Sequence, residues 1–228
     1  MSVITSVTAQ NSVGVSGIYD LPADFVARQI DAVIEDFGAH ALKTGMLSNR
    51  AIIAAVADRI THYKIENFVL DPVMVAQSGD RLIRDRAVAA LKKLLIPLAL
   101  VITPNLDEAT CLVGFEVKDL EAMKAAAQSI HKLGADYVIV KGGHLAGAAI
   151  DVLYDGHCFE RLSAPRVKTK DTHGSGCTFA SAIAAELAKG KDVKAAARSA
   201  KIYVTHAIRH ALRLGRGPGA LGHFYRFW

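Results

Sequence analysis

HALKTGMLSNRAIIAAVADRITHYKIENFVLD (His40–Asp71) decides the fold. A short apolar run ends in Lys43 and Thr44 at a glycine turn, and a second, NFVLD (Asn67–Asp71), ends in an aspartate. Between them runs a segment of helical period, NRAIIAAVADRITHY, with Ser48 placed to cap it. Strand, helix, strand is the unit of a parallel sheet, because parallel neighbours need a long crossover rather than a tight turn. The same rhythm extends both ways. Upstream, FVARQIDAVIEDF (Phe25–Phe37) spaces apolar residues by three and four, with Pro22 at the first turn. Downstream come helix RAVAALKKLL, strand LALVIT, helices LDEATCLVG and LEAMKAAAQSIHKLG, and strand DYVIV. Strands rich in Val, Ile and Leu between helices predict an α/β fold: a mostly parallel central sheet with helices on both faces. After Lys141 the pattern changes. Asp155-Gly156 inside IDVLYDGHCFERL predicts a hairpin, and two helices close the chain, from about Thr178 to Lys189 and from Val193 to about Leu212. The opening run SVITSVTAQN, β-branched, is expected inside the sheet. No linker or repeat divides residues 1–228, so one domain is expected.

Composition narrows the function. The 228 residues are 51% hydrophobic and 21% charged, with a formal charge of +5. That supports a buried core. The basic excess near the C-terminus is not interleaved with aromatics, which argues against nucleic-acid binding. The longest apolar run, LLIPLALVI, is far short of the roughly 20 residues that span a bilayer, and no secretion leader is visible at the start. Three scattered cysteines, Cys111, Cys158 and Cys177, form neither a disulfide framework nor a zinc pattern. A cytoplasmic, reduced setting is expected.

In open parallel sheets ligands bind beyond the carboxyl ends of the strands. Gln10, then Thr44, Gly45 and Met46, then Asp71, then Asn105 and Glu108, then Lys141 to His144 fall at such ends. A carboxylate, an Asn-x-x-Glu pair, a lysine and a glycine-rich helix start on one rim suit magnesium and polyphosphate. Each has a structural reading too. Asp71-Pro72 also starts a turn, Asn105 also caps the helix holding Glu108, and Met46 taken alone is more often core than ligand contact. In DTHGSGCTFASAIAAELAKG (Asp171–Gly190), Gly174, Ser175 and Gly176 free consecutive amides at a helix N-terminus, an anion site that is neither a Walker A loop nor a dinucleotide fingerprint. Cys177 falls at or beside the first helical position, where a thiol's pKa can be lowered. Its other reading is a small packed hydrophobe.

The segments VTAQNS, KTGML, LDPVMVAQSGDRL, VITPNLDEA, VKGGH and DTHGSGCTFASAIAA, in that order, resemble the hydroxymethylpyrimidine and phosphomethylpyrimidine kinases of thiamine biosynthesis, in the ribokinase-like superfamily. The ending GRGPGALGHFYRFW is similar too. The resemblance implies an ATP-dependent kinase that phosphorylates 4-amino-5-hydroxymethyl-2-methylpyrimidine and then its monophosphate. It implies Cys177 as general base where the wider superfamily usually has aspartate, with the Gly174–Gly176 backbone as anion hole. Gln10, Met46 and Val73 would contact the pyrimidine. Lys141, Thr172 and Asn105 would bind ATP, and Asp71 and Glu108, with Asn105, would organise magnesium. A homodimer is implied as well. Family members carry about one more strand and helix ahead of SVITSVTAQN (roughly 30–40 residues from unit lengths in such folds), so the family's first strand is expected to be missing. A related B6-vitamer kinase, or a non-catalytic aminopyrimidine- or nucleotide-binding protein, is the alternative.

Overall fold

Asn49 rather than Ser48 caps the deciding helix, its Oδ1 accepting from the Ile52 N–H at 3.0 Å. Ser48 is drawn aside to donate to Asp20 at 2.5 Å. The computed structural model describes residues 1–74, 85–143, 145 and 147–227. The part of LDPVMVAQSGDRL after Met74, and His144, lie outside the described residues.

Strands β1 (Ser6–Gln10) and β2 (Val15–Asp20) precede helix α1 (Ala23–Phe37). Then β3 (Leu42–Thr44), α2 (Arg50–His62), β4 (Phe68–Leu70), α3 (Asp85–Ala90), β5 (Val101–Ile102), α4 (Leu106–Val113), α5 (Leu120–His131) and β6 (Tyr137–Lys141) alternate. The predicted hairpin is β7 (Ala149–Tyr154) with β8 (Phe159–Ala164), and α6 (Ser175–Ala188) and α7 (Val193–Arg209) follow. The main sheet has the order β3-β4-β5-β6-β7-β8, parallel from β3 to β6 and antiparallel beyond. This is the mostly parallel α/β sheet read from the alternation.

Successive side chains on a strand face opposite ways, and the two cores divide accordingly. Phe68, Leu70, Ile102, Val138, Val140 and Val152 pack under α1 to α5. Val69, Val101, Ile139, Leu153 and Leu162 pack under α6 and α7. Two predicted elements are shorter in the structure. LALVIT contributes only Val101 and Ile102 to the ladder, and RAVAALKKLL leaves the α-helix at Ala90 for a π turn over Leu91–Leu95 and a 3-10 turn over Ile96–Leu98. Pro97, with no N–H to donate, cannot continue the ladder.

The opening run is not inside the main sheet. β1 pairs antiparallel with β2 in a separate two-stranded sheet, closed by Asn11, whose Oδ1 accepts from the Val13 and Gly14 amides. Pairing with β2 satisfies its backbone without burying it; Val7 and Tyr19, opposite each other, are exposed. The base of this hairpin is tied to the segment that follows β3, since Thr5 Oγ1 donates to the Met46 carbonyl (2.9 Å) and Ser48 Oγ and Asn49 Nδ2 (3.0 Å) both donate to the Asp20 carboxylate. At the carboxyl end of the main sheet the strand exits are bonded side by side: Asp71 N–H to the Thr44 carbonyl, Thr103 N–H to Leu70, and Lys141 N–H to Pro104. Among the described residues no helix is long and apolar enough to cross a membrane.

Candidate active site

Those exits bring four charged or nucleophilic side chains together around Asp71, which is 1% exposed. Its Oδ1 accepts from Lys141 Nζ at 3.1 Å and from Thr103 Oγ1 at 3.2 Å. Its Oδ2 faces Lys43 Nζ at 3.4 Å but has no hydrogen-bond partner, and the Cys177 thiol stands near enough to the same carboxylate for the two to shift each other's titration. Burial alone would raise the Asp71 carboxyl; the ammonium groups of Lys141 and Lys43 outweigh it and hold the pKa below the usual range. Burial would lower Lys141, yet Asp71 and Glu108 hold it raised, so it stays a cation.

Helix α6 starts here. Gly174 takes the left-handed conformation (φ +81°), from which the chain turns into the helix. The Ser175 amide turns back to the Thr172 carbonyl at 3.1 Å, so Ser175 is already spent. First-turn amides have no carbonyl partner inside their own helix, which leaves those of Gly176 and Cys177 as the donors for an anion. Cys177 is the third helical residue, one position deeper than the expected place at or beside the first. Protein packed around the sulfur, and then the Asp71 charge, push its thiol pKa up. This corrects the expected lowering: at this helix start burial and a carboxylate outweigh the dipole. The residue is nonetheless exposed, on the wall of a cavity of about 730 Å³ that runs along α6 and α7 past Ser181, Tyr203 and Arg226.

Asn105 and Glu108 form a reciprocal capping box on α4. Asn105 Oδ1 accepts from the Glu108 N–H at 2.9 Å, and Glu108 Oε2 from the Asn105 N–H at 2.8 Å. Glu108 Oε1 takes the Met74 N–H at 3.4 Å. Burial raises the Glu108 pKa against the pull of Lys141. Met46 lines a second cavity, of about 650 Å³, with Lys43, Thr44 and Gly45. Val73 is half-buried, its amide bonded to the Asp71 carbonyl at 2.8 Å. Gln10 is not drawn into the cluster. It stands exposed at the end of β1, bonded to Thr8.

Three contributors were not legible as site residues. Lys43 carries the signal of a lysine at a strand end but sits among residues of stronger character. Asp151 and Lys201 lie 50 residues apart and form a buried ion pair at 2.7 Å; Asp151 Oδ1 also accepts from the Gly142 N–H at 3.0 Å. No local pattern announces a pair so distant. It props the turn that follows Lys141, where a Cβ on Gly142 would meet the Ile150 carbonyl oxygen at 2.2 Å.

A sulfur and a lysine pair sharing one buried carboxylate beneath free helix-start amides form a centre suited to phosphoryl transfer to an alcohol. Residues 1–222 match the model of a family described as phosphomethylpyrimidine kinase. The chain belongs to the phosphomethylpyrimidine kinase family. It is 50% identical over 223 residues to the thiamine biosynthesis bifunctional protein of Geobacter sulfurreducens, covering 97% of this chain but only 46% of that protein, so it spans about half of that relative. It is 45% identical to the hydroxymethylpyrimidine/phosphomethylpyrimidine kinase of Bacillus subtilis, over 98% of this chain and 83% of the relative. The fold superposes on the ADP complex of Bacillus subtilis pyridoxal kinase with a TM-score of 0.92 at 39% identity, covering 100% of this chain and 88% of that one. The ribokinase-like architecture and a kinase of this family are therefore established for the chain.

A magnesium ion fits this centre only at one remove. Both Glu108 oxygens are held by backbone amides, and Asp71 is neutralised by two lysines. The unbonded Asp71 Oδ2 can accept from a metal-bound water. Among the described residues no group of three His, Cys, Asp or Glu could hold a metal. Magnesium commonly keeps several waters and relies on substrate phosphates, so Asp71 and Glu108 are suited to its water shell rather than to direct ligation.

Proposed function

We propose that this chain transfers the γ-phosphoryl group of ATP to the hydroxymethyl group of 4-amino-5-hydroxymethyl-2-methylpyrimidine, and then a second phosphoryl group to the monophosphate, in a cytoplasmic step of thiamine biosynthesis. The observation that carries this reading is Cys177, a solvent-reachable thiol close to Asp71 beside the free amides of α6. In the first step the thiolate sulfur of Cys177 takes the hydroxyl proton as the alcohol oxygen attacks the γ-phosphorus and ADP leaves. The Gly176 and Cys177 amides and the Lys141 ammonium offset charge on the migrating group, the main protein contribution to such transfers. Asp71 holds Lys141 in place. Magnesium, when bound with ATP, supplies charge neutralisation on the phosphates. In the second step the attacking oxygen belongs to a phosphate whose second pKa is about 6, so it is already ionised and needs no base.

Met46 and Val73 are the pyrimidine contacts in this reading, with Gln10 reaching the ring only if the β1–β2 hairpin folds inward. Thr172 and the free Nδ2 of Asn105 are ATP contacts, and the chain works as a homodimer. Coupled ADP release with the aminopyrimidine alcohol, its monophosphate and pyridoxine tests the assignment. Turnover of both pyrimidines at higher kcat/KM than pyridoxine supports it, and tight aminopyrimidine binding without ADP release contradicts it. The likeness to pyridoxal kinase favours pyridoxine as the second reading; a larger kcat/KM for pyridoxine would select it.

A further inference from the structure

The Asp71 carboxylate is shared by two ammonium groups, one more than its charge requires. They are not equivalent. Lys141 donates a hydrogen bond to Oδ1 at 3.1 Å, and its Nζ lies 3.1 Å from where a Cβ on Gly176 would stand, directly under the start of α6. Lys43 comes from the opposite side, at the end of β3. Its Nζ is 3.4 Å from Oδ2 without a hydrogen bond, and among the described residues no group accepts from it. Its side chain is 16% exposed, so water does not readily stand in for the missing acceptors. The ammonium lies 2.9 Å from where a Cβ on Gly45 would be; the bare glycine gives it room. Lys43, Gly45 and Met46 share one cavity, and Cys177 lines the other. The Thr44 hydroxyl beside it is also buried without a partner. With Glu108 engaged by amides, this corner holds an ammonium that donates to no acceptor among the described residues and a hydroxyl without a partner.

We propose that Lys43 binds the phosphate of the monophosphate substrate, and so sets the enzyme's preference for the second phosphorylation over the first. This rests on the two-step reading above. An alcohol offers Lys43 nothing to neutralise, whereas a phosphate monoester dianion offers charge and three acceptors. Held there on the Met46 side, it faces a fresh γ-phosphate on the Lys141 side, with Asp71 between the two cations.

The test compares kcat/KM for alcohol and monophosphate in Lys43→Met and Lys43→Arg. In Lys43→Met the ratio of monophosphate to alcohol should fall roughly 10- to 100-fold, as for loss of one charge-assisted hydrogen bond. Lys43→Arg should keep most of the wild-type ratio; if Lys43→Met does not fold, Lys43→Gln takes its place. Equal losses on both substrates would make Lys43 a mere partner of Asp71 and overturn the proposal, as would a loss confined to the KM for ATP, which would assign the cation to the nucleotide. Calorimetric titration of the monophosphate and of the alcohol into the resting enzyme separates this from the catalytic reading. If the wild type shows no turnover, weaker monophosphate binding in the variant still supports Lys43, and unchanged binding overturns it.

Discussion

Two fields oppose each other at Cys177. The start of α6 favours a thiolate, while protein packed on the sulfur and the Asp71 charge favour the thiol, and the second pair prevails. The base is the deprotonated form and its pKa lies above the ordinary 9.0. The thiolate fraction therefore rises about tenfold per pH unit across neutrality. Accordingly kcat/KM for the alcohol should climb from pH 7 to 9 without levelling, while that for the monophosphate, ionised above about pH 6, stays nearly flat. Parallel pH profiles for the two substrates would contradict this. Lys141→Ala should raise the KM for ATP or lower kcat on both substrates, because its ammonium lies under the anion-binding amides; steady-state kinetics with varied ATP reads it. Gly174→Ala meets no atom within 4 Å of the new Cβ, so its cost is the left-handed backbone alone, about 1–2 kcal/mol in urea unfolding. The identity of Cys177, Lys141 and Asp71 as neighbours was legible because each ends a strand or starts a helix at one edge. The sign of the thiol's shift was not, since it depends on the protein packed around the sulfur and then on a carboxylate 106 positions away in the chain.

Elements were legible where burial enforced a period. β3, β4 and β6 read as apolar runs because both faces are covered, and α1, α4 and α5 because one stripe meets the core. β2 escaped notice: Ser16 to Tyr19 are exposed, so nothing imposes alternation on them. β1 was visible as a strand but placed in the wrong sheet, because β-branched residues favour extended backbone without saying which partner they find. The turn after β6 depends on the Asp151–Lys201 pair joining β7 to α7. Lys201→Met leaves the Asp151 carboxylate buried without its counter-charge, and such losses cost about 3–5 kcal/mol. Urea unfolding should show that drop, with part of it regained when Asp151→Asn is added, since Asn keeps an acceptor for the Gly142 amide. A variant as stable as wild type would show that the pair carries no net stabilisation.

At the scale of the molecule, one sheet separates two cores, and the buried Asp71 at its carboxyl edge lines neither cavity. Lys43, which faces that carboxylate, lines one cavity, and Cys177 lines the other. The homodimer is tested by light scattering on the eluting protein, which should give the mass of two chains; a single-chain mass throughout would remove it. The central claim is that Cys177 moves a proton in the alcohol step alone. Cys177→Ser, assayed separately on alcohol and monophosphate at saturating ATP, is the most direct measurement. The account predicts a loss of kcat on the alcohol on the order of 10²–10⁴, the usual worth of a general base, and a far smaller loss on the monophosphate. Equal kcat values to wild type on the alcohol would contradict it.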